Sequence, residues 1–203
     1  MKLPGILEYV SSLGHAVFTS GTYNLNIIGI RSKKNIPDAF DDWLVVAYRD
    51  ESGWVERWWP ITTEPGLYYL QNKSKWFGPE GVAVLVEGQY SGVYKIDLHA
   101  GKYEALCQRN GAVKLYKDSN LDAVIDYDPK TIKESSVSGI NIHASNSTPY
   151  DGDSTSVKVG PWSAGCQVFA SEKDFREFMS LCRKQVQKGP GWDKFTYTLV
   201  REA

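Results

Sequence analysis

Trp43-Leu44-Val45-Val46-Ala47-Tyr48, then Asp50-Glu51-Ser52-Gly53, then Trp54-Val55-Glu56-Arg57-Trp58-Trp59 is the stretch that decides the fold. An apolar run rich in β-branched and aromatic residues, a cluster of turn formers and a second aromatic run read as a β-hairpin. Such side chains suit a pleated, half-buried surface, and Asp, Ser and Gly supply the turn. Working outward, Leu25, Ile27, Ile28 and Ile30 predict a strand over 23–30, and the polar residues 33–38 a loop. Further strands are expected at 81–87, 92–97, 111–116 and 139–143, and a closing strand carries Phe195, Tyr197 and Leu199 in alternation. Residues 119–138 are polar and expected to be irregular, and 144–159 read as a long polar loop.

Two helices interrupt this pattern. Ile6, Leu7, Val10, Leu13 and Val17 fall near helical spacing and predict a short amphipathic helix over 4–18, in an N-terminal helical appendage spanning 1–22. Ser171, with Asp174 three residues on, has the form of a helix N-cap. Phe175, Phe178, Met179, Cys182 and Val186 then share one face until Gly189-Pro190-Gly191 stops the helix. With no internal repeat or linker-like tract, the expectation is one mainly β domain (β-rich α+β) over 1–203.

Composition narrows the function classes. Hydrophobic residues at 42% and charged residues at 23% describe an ordinary globular chain. A formal net charge of −1 with scattered Lys and Arg gives no field that would gather nucleic acid, so no nucleic-acid partner is expected. No run approaches the roughly 18 apolar residues of a membrane span. Residues 1–18 lack the uninterrupted apolar core of a secretory signal, so the chain is expected to be made in the cytoplasm and not to export itself. Three cysteines without close spacing argue against a disulfide framework or a zinc knuckle, and no metal or other cofactor is expected. Asp118-Ser119-Asn120-Leu121-Asp122 places oxygens at alternating positions, as a calcium loop does. Ala123 and Pro129 stand where such a loop needs glycine and glutamate, so an Asx-rich turn is favoured.

A cysteine nucleophile needs a base, donors for the developing oxyanion, and exposure. Cys166 follows Ser163-Ala164-Gly165, where glycine permits a tight turn with converging N–H groups. His143 ends a short apolar strand just before a loop that can fold back beside Cys166. Cys107 and Cys182 lie among apolar neighbours and read as core, and His15 as a residue of the first helix. His99, before Ala100-Gly101, is favoured as an exposed turn residue, with a role lining a cleft beside Cys166 left open. Trp162 is either a wall of a substrate groove or packing beneath the loop, and Asp151-Gly152-Asp153 a solvated loop.

Ile142-His143, a loop, and Ser163-Ala164-Gly165-Cys166 together resemble the signature of the L,D-transpeptidase (YkuD-like) family, and Pro60-Ile61-Thr62-Thr63-Glu64-Pro65-Gly66 is similar to that family's strand leading into a Thr-Pro-Gly turn. The resemblance implies a YkuD-like fold with mixed sheets and a late helix, its identifying part lying within 139–170. It implies Cys166 as nucleophile, His143 as its activating base, and Ser163 and Gly165 as turn residues whose backbone shapes the oxyanion site. His99 and Trp162 would contact substrate. It implies thioester chemistry on peptidoglycan stem peptides, without cofactor, ending in transfer to an amine or hydrolysis. Ala164 stands where many members have a second histidine, nineteen residues (144–162) form a slightly long loop, and Gln167-Val168 replaces a segment containing Arg. These departures leave open a catalytically inactive cell-wall-binding or virion structural module, and a cysteine hydrolase of unrelated substrate. A phage-borne protein, or one released by lysis, would reach the cell wall without an export sequence.

Overall fold

The computed structural model describes residues 2–73, 79–136 and 138–203; Met1 of the expected appendage and Val137 of the expected irregular segment lie outside the described residues. Helix α1 (Gly5–Ser12) precedes strands β1 (Asn26–Arg31), β2 (Asp42–Asp50) and β3 (Gly53–Thr62). Helix α2 (Leu67–Gln71) and β4 (Val82–Leu85) come next, then β5 (Gly88–His99), β6 (Tyr103–Gln108), β7 (Val113–Asp118), β8 (Lys133–Ser135), β9 (Ile142–Ala144) and β10 (Gln167–Phe169). Helix α3 (Glu172–Lys188) and β11 (Phe195–Arg201) come last. The architecture is mainly β with few helices, as expected.

Eight strands close a barrel in the order β1-β11-β5-β6-β9-β10-β3-β2, and β4, β7 and β8 form a separate three-stranded sheet. The pairing is mixed: β1 runs parallel to β11 and β9 parallel to β10, while the other pairs are antiparallel. The hairpin of β2 and β3 turns where Asp50 faces Gly53. There Asp50 Oδ1 accepts from the backbone N–H of Ser52 at 2.8 Å and of Gly53 at 3.1 Å, the Asx chemistry that makes this quartet a turn.

Alternation along β2 buries both faces. Leu44, Val46 and Tyr48 join the main core with Phe175, Phe178, Met179 and Cys182 of α3, whereas Val45 and Ala47 pack with Leu7 and Val10 of α1. Helix α3 begins as expected, with Ser171 Oγ accepting from the backbone N–H of Asp174 at 3.2 Å. Cys107 and Cys182 are fully buried in the main core, as expected.

Several elements differ from expectation. The first helix ends at Ser12 rather than continuing to residue 18, because Gly14 adopts a φ of +82° and breaks the spiral. Beyond it the chain is held by side-chain amides: Ala16 exchanges hydrogen bonds with Gln89, and Phe18 with Asn26. His15 therefore lies outside the helix. Strand β6 went unread because Ala105, Leu106 and Cys107 form an unbroken buried run with no alternation. Strand β8 and a 3-10 turn at Pro129–Thr131 order part of the segment expected to be irregular. The strand expected at 139–143 begins only at Ile142. Ahead of it the amides of Gln108 and Asn141 take the place of a backbone ladder, Gln108 Oε1 accepting from Ile140 N–H at 3.0 Å and Asn141 Oδ1 from Gln108 N–H at 2.9 Å. In the 118–126 segment Asn120 and Asp122 form Asx turns, each accepting the backbone N–H two residues on, and Asp118 closes the segment by accepting the N–H of Asp126.

Arg31, fully buried, ties β1 to the segment after β3. Its Nε donates to Thr63 Oγ1 at 2.9 Å, Nη2 to the Thr63 carbonyl at 3.1 Å and Nη1 to Glu87 at 3.0 Å. Asp42 accepts from Thr63 N–H at 2.6 Å on the far side of the same threonine. Burial, with Asp42 nearby, pushes the Glu64 carboxyl up to about 7 even with Arg31 beside it. Removing one partner of such a buried group strands the rest without compensation. Arg31→Met is expected to cost about 3 kcal/mol in urea unfolding, whereas an exposed control, Arg57→Met, changes stability by less than about 0.5 kcal/mol.

Candidate active site

The turn Ser163–Cys166 is fixed by steric and hydrogen-bond constraints together. Gly165 has a φ of +118°, and a Cβ placed there would lie 2.2 Å from the carbonyl oxygen of Ala83 in β4, so only glycine fits. Ser163, with no exposed surface, accepts the Gly165 N–H through Oγ at 3.2 Å and donates that hydroxyl to the Cys166 carbonyl at 2.9 Å. Its own carbonyl accepts from Gly66 N–H at 2.9 Å. Gly66 is equally constrained, since a Cβ there would lie 1.9 Å from the Gly160 carbonyl oxygen. Asp38 Oδ1 receives the backbone N–H groups of Gly160 at 2.6 Å and Leu67 at 3.3 Å, which clasps this turn to α2.

His143 lies in β9 and Cys166 immediately precedes β10. The parallel register sets His143 opposite Val168, two residues along from Cys166, so alternation puts the imidazole and the thiol on one face. Both line a cavity of about 840 Å³ together with His99, Trp162, Tyr69 and Lys117. Trp162 sits in the 3-10 turn Gly160–Trp162, 38% exposed at the cavity wall. His99 is at the end of β5 and is half-buried rather than an exposed turn residue, its ring stacked on His143 with centroids 4.0 Å apart. Thus Cys166, His143, His99 and Trp162 meet at one cavity, while Ser163 and Gly165 lie behind it and hold the backbone of the turn.

Among the described residues, no hydrogen bond joins the thiol to the imidazole. Cys166 Sγ instead accepts from Asn141 N–H and donates to the Gly139 carbonyl, both at 3.4 Å. His143 Nδ1 donates to the Ala144 carbonyl at 2.8 Å. Burial, reinforced by the neighbouring His99, lowers His143 to about 3. Although Cys166 keeps a partly exposed face on the cavity, close packing around its sulfur pushes the thiol up to about 11, with Asn141 N–H acting against that rise. The resting pair is therefore a neutral thiol and a neutral imidazole.

The long loop is tied to α3, while its tip Asp151-Gly152-Asp153 stays exposed to solvent as expected. Glu172 is buried at the start of α3 and accepts from Ser154 N–H at 3.0 Å, Ser154 Oγ at 2.6 Å and Asn146 Nδ2. Arg176 reaches the carbonyls of Pro149 and Gly152 and pairs with Asp153, so the acidic tip is engaged with α3. Asn141, Tyr69 and Asp38 were not singled out as site residues in the sequence. For Asn141 a signal existed: it stands two residues before His143 and so shares its face. Asp38 and Tyr69 had none, because their relation to the cysteine turn is made by chain folding alone.

No family model, no curated protein and no solved structure matches this chain.

Two measurements check the geometry. Gly165→Ala is expected to lose about 3 kcal/mol of stability, against about 1 kcal/mol for Gly101→Ala, where a Cβ meets nothing within 4 Å and a φ of +71° is the whole cost. Iodoacetamide should modify Cys166 well before Cys107 and Cys182. The Cys166 rate should rise about tenfold per pH unit from pH 7 to 10, since a thiol titrating near 11 is roughly one part in ten thousand thiolate at pH 7. A plateau below pH 8 would mean a thiolate already stabilised by His143.

Proposed function

We propose that this chain is a cysteine acyl-transfer enzyme of L,D-transpeptidase type acting on peptidoglycan stem peptides, with a YkuD-like domain organisation. The observation that carries the proposal is the convergence of Cys166 and His143 on one face of two parallel strands, in the wall of a cavity large enough for a peptide segment. Because His143 Nδ1–H is held by the Ala144 carbonyl, the Nε2 lone pair is the one left to accept a proton. Three lysines, Lys102, Lys117 and Lys133, and two glutamates, Glu80 and Glu134, line the same cavity, which suits a substrate rich in carboxylates.

In this mechanism a substrate carbonyl enters the cavity and His143 Nε2 takes the thiol proton as Cys166 Sγ attacks the carbonyl carbon. The resulting oxyanion is met by backbone N–H groups of the turn 164–166; that of Gly165 is already engaged by Ser163, which leaves those of Ala164 and Cys166. The C–N bond breaks, the leaving amine takes the proton from His143, and a thioester remains. An amine or a water molecule, deprotonated by the same imidazole, then releases the acyl group. With both groups neutral at rest, proton transfer accompanies attack rather than preceding it. Delivery by a phage particle or by lysis belongs to the same proposal.

The high thiol pKa and the missing thiol–imidazole hydrogen bond favour a second reading, an inactive cell-wall-binding or virion structural module. Purified muropeptides incubated with the chain and with Cys166→Ala, followed by mass spectrometry, separate the two. The enzyme should remove a terminal D-residue, cut a cross-link or exchange a D-amino acid. Cys166→Ala should abolish the product, and His143→Gln should reduce its rate by about a thousandfold. Unchanged muropeptides with equal sacculus binding by both proteins would leave the binding module standing.

A further inference from the structure

His99 Nδ1 lies 3.0 Å from Asn141 Nδ2. The orientation of that amide is set from its other end, where Asn141 Oδ1 accepts the backbone N–H of Gln108 at 2.9 Å. The nitrogen therefore faces His99 and can only donate, so His99 Nδ1 is a lone pair and the neutral ring carries its proton on Nε2. His143 has the opposite arrangement. Its Nδ1 faces the carbonyl of Ala144 at 2.8 Å, an oxygen that can only accept, which puts the proton on Nδ1 and the lone pair on Nε2.

The two rings stack with centroids 4.0 Å apart and planes 20° apart, and both line the cavity that holds Cys166. One offers a lone pair, the other an N–H. Among the described residues, His99 Nε2 has no hydrogen-bond partner, its ring being otherwise engaged only with His143 and Tyr103. A donor without a partner in a cavity wall is available to a ligand acceptor, and it costs least when ligand occupies it. Burial, with Arg109 and Lys102 nearby, lowers His99 to about 4, so the donor is uncharged at neutral pH.

We propose that His99, oriented by Asn141, is a neutral hydrogen-bond donor to the carbonyl oxygen of the acyl group that Cys166 attacks. This role rests on the acyl-transfer reading above. His99 gives up no proton: its Nε2–H stays on the ring while the carbonyl oxygen gains negative charge, and His143 alone carries the thiol proton to the leaving amine.

The test combines tautomer and turnover on the full chain. Long-range ¹H–¹⁵N spectra of ¹⁵N-histidine-labelled protein at pH 7 should show His99 as the Nε2–H tautomer and His143 as the Nδ1–H tautomer. Asn141→Asp, which sets an acceptor against His99 Nδ1, should move the ring proton from Nε2 to Nδ1 and lower kcat although the ring remains. In muropeptide turnover, His99→Phe keeps the stack and removes the donor. It should lower kcat about a hundredfold with KM changed less than about threefold. His99→Gln, which returns an N–H near the Nε2 position, should recover about tenfold of that loss. A wild-type His99 proton on Nδ1, or a His99→Phe kcat within twofold of wild type, overturns the proposal. A wild type with no Cys166-dependent product overturns the acyl-transfer reading and this role with it, whereas Cys166-dependent product unaffected at position 99 overturns this role alone.

Discussion

The parallel pairing of β9 with β10 is the constraint on which the site depends. Only three residues of each strand take part, yet their register sets Ile142 beside Gln167 and His143 beside Val168. Each strand is anchored on its other edge, β10 by β3 and β9 by β6. Gln167, fully buried, adds a side-chain tie, its Oε1 accepting the Tyr197 hydroxyl at 2.8 Å while its Nε2 donates to the Gly165 carbonyl at 3.4 Å. A slip of one residue would turn His143 to the opposite face from Cys166. The barrel is thus the frame that sets the thiol and the imidazole on one side of a sheet, and the close approach of β4 to Gly165 fixes the turn that carries Cys166.

Electrostatically the thiol and the two imidazoles at the centre of the site are uncharged. Both imidazoles titrate far below neutral pH and the thiol far above it, all mainly because burial disfavours the charged forms. The Asn141 side-chain amide chooses the tautomer of His99 and the Ala144 carbonyl that of His143, so the two rings are organised by amides and carbonyls rather than by ion pairs. Among the described residues one ion pair, Lys133 with Glu80, stands in the cavity wall, while Arg31 and Arg201 gather at Glu87 and Arg176 pins the long loop to α3.

Legibility in the sequence followed how local each signal was. The β2–β3 hairpin, the Ser171 cap and the apolar face of α3 depend on contacts within a few residues and were read correctly. The first helix was overextended because Leu13 and Val17 keep helical spacing past Gly14, where a backbone break outweighs periodicity. Strand β6 was missed because a strand buried on both faces shows no alternation. Of the site, Cys166 and His143 could be named from a turn and a strand end, and Trp162 from its neighbours. The stacked placing of His99 could not, since it depends on β5 running on to residue 99 and folding against β6 and Asn141.

By itself the sequence determined a β-rich chain, its hairpin and long helix, and a short list of groups able to do thiol chemistry, because side-chain type and near-neighbour spacing control those properties. Only the tertiary structure decided which histidine nitrogen carries a proton, that the thiol is neutral at rest, and that Ser163 and Gly165 lie behind the cavity rather than in its wall. Those properties depend on burial and on acceptors as far apart in the chain as Asn141 and His99, Ala83 and Gly165, or Gly66 and Ser163. Chain folding alone brings them within hydrogen-bond or van der Waals reach.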